Sequence, residues 1–424
     1  MIKILRSNNK KFLSNLNSFL EKRRYTKSNV SSSVSKILID IKKNKIKALK
    51  KYELKFSNNK KIKITNKEIK KVIKSLDPEV KLAIDFSYNR IKNFHIQQLK
   101  NIKNIKYKDK YKNLLEYVNI PIESVGIYVP GNLPSTLLMN SIPAKIAKVK
   151  RLVLATPKIK GKLNPAILYA AKKVGIDEIY SMGGAQAIGS LTYIQKVNKI
   201  IGPGNKFVAE AKKQLSGKLI GTESMFAGPS EICVVADKNS DINQIATSMV
   251  SQAEHDIDSQ SILITKHENI IKNVVDKISE LIKKLPRKKI AYKSIKKHGL
   301  IIIAKNDKEI TDAINIISTE HLELLIKNSR KLIKKIYNAG SICNGKYSPM
   351  CLSDFTVGTN HVLPTAGSSR YSSGLNINEF IKKISIVTLN KLGVEKIANP
   401  AITLAKYEQL VGHAESIRSR IRRN

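Results

Sequence analysis

The apolar positions change their period near residue 120. Before it, Val34, Ile37, Leu38 and Ile41 recur three and four apart, as do Ile91, Phe94 and Leu99 further on. That spacing predicts helices with one buried face. From about residue 125 the apolar residues gather into short runs instead: VGIYV (125–129), RLVLATP (151–157), EIYSM (178–182), KIIGPG (199–204), EICVVAD (231–237), SILITK (261–266), LIIIAK (300–305) and GSICNG (340–345). Strand-like runs that alternate with helical stretches predict βαβ units and parallel sheet. They form two groups, about 125–228 and 229–350, so the expected fold class is α/β: two Rossmann-like parallel-sheet halves with helical extensions at both ends. The expected division is a helical N-terminal region (1–120), a first α/β domain (121–228), a second (229–377) and a C-terminal helical segment (378–424). In that last segment Ile381, Ile384, Val387 and Leu389 read as one helix face.

Three Gly-containing turns follow directly on predicted strands: VPGN (129–132), MGGAQA (182–187) and GPGN (202–205). In open α/β sheets, ligands collect beyond the carboxyl ends of strands, where such turns lie. The dinucleotide fingerprint is incomplete, because GPGNKF places Phe207 where its third glycine belongs. A single Gly-Pro turn is usually only a turn, but three on one sheet predict a binding crevice.

Composition narrows the function classes. The formal charge is +44, from 77 Lys plus Arg against 33 Asp plus Glu. Such an excess ordinarily suggests a nucleic-acid partner. Here the lysines are dispersed among isoleucine and asparagine, all residues of AT-rich codons, and no nucleic-acid-binding motif accompanies them. A solvated basic face is the expectation, without a nucleic-acid partner. No apolar run approaches the ~20 residues that span a bilayer, and the basic N-terminus lacks a signal-peptide core, so a cytoplasmic, membrane-free protein is expected. Cys233, Cys343 and Cys351 are odd in number and have no CxxC spacing, which excludes a disulfide framework.

Four of the seven histidines have carboxylate or amide neighbours: His255 in SQAEHD, His321 in TEHLEL, His361 in GTNHVLPT and His413 in YEQLVGH. Upstream of the first, Ile242, Ile245, Ala246, Met249, Val250 and Ala253 form an apolar helix stripe, with Ser240 or Asp241 as cap. Gln252 and His255 are three apart near the end of that helix, so their side chains converge, and imidazole with oxygen donors suits zinc or manganese. In TEHLEL, Glu320 and His321 fit an acid/base pair at an element end or, alternatively, a helix start capped by Ser318 or Thr319. Asp354 and His361 flank a glycine turn that Pro364 keeps from being helical, and Glu408 and His413 lie on either side of Gly412. His95, His267 and His298 have no such neighbours and read as structural.

Together these segments resemble histidinol dehydrogenase along nearly the whole chain. The resemblance is carried by RIKNFHIQQ (90–98), NIPIESVGIYVPG (119–131), PSTLLMNSIPAKIAKV (134–149), YSMGGAQAIGSL (180–191), KIIGPGNKFVAEAK (199–212), FAGPSEICVVAD (226–237), SQAEHD, TEHLEL, GTNHVLPT and YEQLVGH. It implies oxidation of L-histidinol through L-histidinal to L-histidine, with NAD reduced twice and one Zn2+ per subunit. Gln252, His255, Asp354 and His413 would be the zinc ligands. Ser230, His321, His361 and Glu408 would line the substrate pocket with them. His321 would be the general base and Glu320 would activate water, while Tyr128, Gln186 and Asn205 match cofactor-contacting positions. The resemblance also implies a homodimer in which Glu408 and His413 complete the partner's site.

Three positions depart from the family pattern. Only Asn132 and Leu133 separate VPG from PST, the 193–196 loop is short, and Ser353 stands where a glycine is usual. The competing expectations are a related zinc/NAD dehydrogenase of another polar alcohol, a zinc hydrolase using Glu320, and a basic nucleic-acid binder.

Overall fold

A strand, not a helix, begins the chain. β1 (Lys3–Arg6) precedes α1 (Phe12–Arg24), α2 (Ser31–Ser57), α3 (Asn66–Ile73) and α4 (Pro78–Lys100), followed by β2 (Ile105–Lys108) and β3 (Leu114–Pro121). This computed structural model describes residues 2–24, 30–224 and 228–421, so Phe226 and Ala227 of the 226–237 motif lie outside the described residues. The predicted stripe on α2 is realised, with Val34, Ile37, Leu38 and Ile41 all buried.

The first α/β unit runs β4 (Ser124–Tyr128), α5 (Pro134–Ile146), β5 (Arg151–Ala155), α6 (Pro165–Val174), β6 (Glu178–Tyr180), α7 (Gly184–Tyr193), β7 (Lys199–Ile201), α8 (Lys206–Leu215) and β8 (Gly221–Thr222). Its strands make one parallel sheet in the order β6-β5-β4-β7-β8. Both faces are covered, which is why these strands read as continuous apolar runs. On one face Val125, Ile127, Leu152 and Leu154 meet apolar residues of α5 and α6; on the other, Val153, Ala155 and Ile200 meet α2, α7 and α8.

The second unit repeats the plan. It runs β9 (Glu231–Ala236), α9 (Ile242–Ala253), β10 (Gln260–Thr265), α10 (Ile271–Lys284), α11 (Lys288–His298), β11 (Gly299–Ile303), α12 (Asp307–Ile317), β12 (His321–Leu324), α13 (Ser329–Ile333), β13 (Ser341–Asn344) and α14 (Met350–Phe355). The sheet order is β1-β11-β10-β9-β12-β13, again parallel. Counted from its own first strand, each half reads 3-2-1-4-5, the order of a doubly wound nucleotide-binding sheet. The two Rossmann-like halves are therefore present as expected.

Both ends of the chain correct the reading of wholly helical extensions. At the start, Ile2 and Leu5 are buried and β1 pairs along β11, satisfying an edge that four residues too short to show a period could not announce. At the other end, β14 (Ile381–Thr388) is a strand, followed by α15 (Lys391–Tyr407) and α16 (Val411–Arg418). Ile381, Ile384 and Val387 mimic helical spacing, but β14 pairs antiparallel with β3 over its whole length, in the order β14-β3-β2. The β-branched run favours that ladder, and its backbone bonds outweigh a weak helical period. No described helix is long and apolar enough to cross a membrane.

Candidate active site

The residues singled out in the second half gather at the amino ends of β9 and β12. Asp241 caps α9 through the Asn243 and Gln244 amides, as predicted, and the helix delivers Gln252 on its last turn. Gln252 is 1% exposed, and its Oε1 has no hydrogen-bond donor. His255 follows just beyond the helix on the exposed side.

TEHLEL is not a helix start. Ser318, with φ at 52°, ends α12, and β12 begins at His321. His321 Nε2 lies 3.9 Å from both Glu320 Oε1 and Asp354 Oδ1. Its Nδ1 is buried without a partner. Burial pushes this imidazole down to about 3, and the nearby His361 and His255 rings act in the same direction. Burial also takes His361 down to about 4. His361 Nδ1 donates to the Asp354 carbonyl at 2.8 Å, which places its ring proton on Nδ1. The Asp354 carboxyl moves the other way, pushed up to about 7 by burial. At neutral pH both imidazoles are neutral, and burial disfavours the ionised form of the Asp354 carboxyl.

Three supporting residues escaped the sequence reading. Glu231 and Glu320 brace each other reciprocally: the Glu231 amide donates to Glu320 Oε2 at 2.8 Å and the Glu320 amide to Glu231 Oε2 at 3.2 Å. A carboxylate opening an otherwise apolar strand, EICVVA, was the available signal. Glu323 lies two residues past His321, on the same face of β12, and accepts the Met350 amide at 2.5 Å, so it holds the start of α14, which carries Asp354. Thr136 Oγ1 is 3.5 Å from His361 Nε2, a contact between α5 and the second half that local spacing cannot reveal. Ser230 is half-buried, and its carbonyl accepts the Gln260 amide at 3.0 Å.

Two of the structural histidines do have partners. His95 is fully buried, with Nδ1 donating to the Ile91 carbonyl at 2.9 Å and Nε2 3.4 Å from the Asn360 amide. His298 lies 3.3 Å from Asp258. The contacts with Asn360 and Asp258 join residues distant in sequence.

At the carboxyl end of the first sheet, Tyr128 and Gln186 come together. The Gly184 amide donates to Tyr128 Oη at 3.4 Å. Gln186 Nε2 and the Gly183 amide both donate to Glu53 Oε1, each at 2.9 Å. Asn205 occupies a neighbouring turn and caps α8 through the Phe207 and Val208 amides. Gly202, at φ 109°, packs so closely under β4 that a Cβ there would lie 2.0 Å from the Tyr128 carbonyl oxygen.

Glu408 and His413 stand apart. Both are exposed on the α15–α16 hairpin, whose own core is Ala398, Ile402, Ala405 and Ala414. No described hydrogen bond or ion pair joins their side chains to the second-half cluster. Leu404, Tyr407, Leu410 and Val411 are exposed around them. Among the described residues no three His, Cys, Asp or Glu side chains converge on a common ion position.

Comparison with known proteins follows this geometry. A family model described as Histidinol dehydrogenase matches residues 20–421. The chain is 52% identical over 430 residues to histidinol dehydrogenase of Pelagibacter ubique, covering all of both chains. It is 40% identical over 405 residues to the Campylobacter jejuni enzyme, with 93% of each chain covered. The crystal structure of histidinol dehydrogenase from Elizabethkingia anophelis superposes with a TM-score of 0.92 at 34% identity, covering 99% of this chain and 98% of that one.

Proposed function

The chain belongs to the histidinol dehydrogenase family, and from that premise we propose that it oxidises L-histidinol to L-histidine through L-histidinal, reducing two NAD+ and using one zinc per subunit. The observation that carries this reading is the convergence of His321, Glu320 and Asp354 within 3.9 Å contacts at a buried strand end.

The donor set fits a cation. Gln252 contributes a buried oxygen that lacks a hydrogen-bond donor, and Asp354 a carboxyl that burial alone makes costly to ionise. A bound cation would relieve both. Gln252, His255 and Asp354 of one chain would hold zinc with His413 of a second copy. When bound, zinc would orient the imidazole and amino groups of histidinol, and NAD+ would take up hydride.

The chain's own residues account for the proton movements. His321 is neutral at working pH because burial disfavours its cation. Its Nε2 therefore takes the proton from the substrate hydroxyl as hydride leaves. Glu320, held through Oε2 by the Glu231 amide, presents Oε1 on the His321 side. There it takes a proton from the water that hydrates the aldehyde before the second oxidation. Ser230, His361 and Glu408 line the pocket. Tyr128, Gln186 and Asn205 border the dinucleotide beyond the first sheet.

The exposed hairpin bearing Glu408 and His413 supports a homodimer in which each chain completes the other's site, with the exposed Leu404, Tyr407, Leu410 and Val411 covered by the partner. The direct test counts NADH formed per L-histidinol consumed by zinc-loaded protein. Two upholds the reading. One leaves an alcohol dehydrogenase without the aldehyde step, and none removes the assignment.

A further inference from the structure

Glu53, near the end of α2, is only 1% exposed. A carboxylate is almost never buried so completely without a partner that repays its desolvation. Its Oε1 accepts two hydrogen bonds of 2.9 Å, from the Gly183 amide and from Gln186 Nε2. Lys158, whose charge acts on Glu53, spends its own hydrogen bond on Asn59 Oδ1 at 2.8 Å. Asn59 then reaches the Ser181 carbonyl at 2.6 Å, so the end of α2 grips the MGG turn on both sides of Met182.

This turn starts α7, and Gly183, the residue that would cap it, has no side chain. In doubly wound sheets, helix starts beyond the carboxyl strand ends commonly receive the phosphates of a dinucleotide. Here the anion at the helix start is the protein's own, delivered by a helix 130 residues earlier. Once ionised, Glu53 would repel a pyrophosphate placed at that point. The start of α7 is thereby committed to holding Gln186. With its amide nitrogen tied to Glu53, the Gln186 carbonyl is turned toward Gly184, where a Cβ would lie only 2.8 Å from it. The Tyr128 hydroxyl meets the same turn through the Gly184 amide.

We propose that Glu53 is a positioning residue for the cofactor: its carboxylate sets the Gly183–Gln186 turn and the orientation of the Gln186 amide, while the dinucleotide's phosphates are carried by another turn of the first sheet. The inference rests on the NAD-dependent reading above. Both donors meet the single oxygen Oε1, so one acceptor at that reach suffices to order the turn.

The test measures NAD+ binding directly by calorimetry, beside steady-state kinetics, on Glu53→Ala, Glu53→Asp and Glu53→Gln. Glu53→Ala leaves the Gly183 amide and Gln186 Nε2 without an acceptor and is expected to weaken NAD+ binding about tenfold, the factor that corresponds to ~1.4 kcal/mol. Its zinc content and L-histidinol affinity should stay at wild-type values. Glu53→Gln keeps an acceptor oxygen at the same reach and is expected to bind within about threefold of wild type. Glu53→Asp, one methylene shorter, should lie between the two, and it carries the test if the alanine variant does not fold. NAD+ binding unchanged in both the alanine and aspartate variants would overturn the proposal. So would parallel losses of NAD+ and L-histidinol affinity, which mark a general prop. Wild-type protein that fails to bind NAD+ at all sinks the cofactor reading itself and this proposal with it, a result distinguishable from normal wild-type binding that the variants share.

Discussion

The two halves share one topology but are finished differently. At the carboxyl end of the first sheet, the residues around the α7 and α8 starts are hydrogen-bonded: Glu53 takes Gly183 and Gln186, Tyr128 takes Gly184, and Asn205 caps α8, although the Thr156 hydroxyl just beyond β5 is buried without a partner. In the second half the corresponding carboxyl end is closed by Asp237, whose carboxylate accepts the Asn239 amide at 2.8 Å and the Lys327 amide at 3.2 Å. The reactive centre proposed for the second half lies at the opposite end, where β9 and β12 begin. There Gln252 Oε1 and His321 Nδ1 are buried without partners, and the Asp354 carboxyl is held near 7. A satisfied network is rigid before any ligand arrives, whereas buried unpaired groups cost free energy until something binds them. The contrast is between a crevice shaped in advance and a reactive centre that waits for its ligands.

The sharpest way to break this contrast is at the reactive centre. Replacing the proposed base, His321→Asn, should lower kcat roughly a thousandfold, with metal content by elemental analysis unchanged. Loss of metal in that variant would make His321 a ligand and not the base. Chelating the proposed zinc comes next. Activity should fall about a hundredfold or more, since substrate orientation is lost. NAD+ binding by calorimetry should not change, because the first-sheet crevice is complete in itself. A metal-dependent NAD+ affinity would mean that the two ends are coupled.

Mixing subunits probes how incomplete the second-half centre is. His321→Asn and Glu408→Ala chains, each inactive alone, should recover about a quarter of wild-type activity when co-expressed, because one site in four is then intact under two-fold symmetry. No recovery would place Glu408 in its own chain's site. The smallest effect belongs to the first-sheet network. Burial raises the Glu53 carboxyl above its ordinary value, so the folded chain holds a proton that the unfolded chain has released. Wild-type stability should therefore fall as pH climbs from about 4.5 through the raised value. Glu53→Gln, which has no such proton, should lose less over the same window. Thermal midpoints of the two proteins at pH 5 and pH 8 compare them. An equal drop in both would mean that Glu53 does not titrate differently on folding.

Much of this organisation is local and was therefore legible along the chain. The runs from VGIYV to GSICNG are strands because a sheet covered on both faces needs continuous apolar residues, and α2 and α9 have the predicted buried stripes. The Asp241 cap, the three glycine turns and the family motifs were equally visible. Elements whose identity depends on a distant partner were not. β1 is a strand because β11 offers it an edge, and β14 because β3 lies alongside. Glu53 cannot be connected with Gln186 across 133 positions by any periodicity. Nor does spacing choose for Glu320 and His321 between an acid/base pair at an element end and a helix start; the fold decides, because β12 begins at His321 and leaves the two side chains 3.9 Å apart.

The sequence by itself determined the alternation of strands and helices, the family and the inventory of reactive side chains, since each is written in residues close together along the chain. Only the tertiary structure decided which end of each sheet those side chains serve, which buried polar groups are satisfied and which await a ligand. Those outcomes depend on hydrogen bonds and desolvation between residues that meet only when the chain folds.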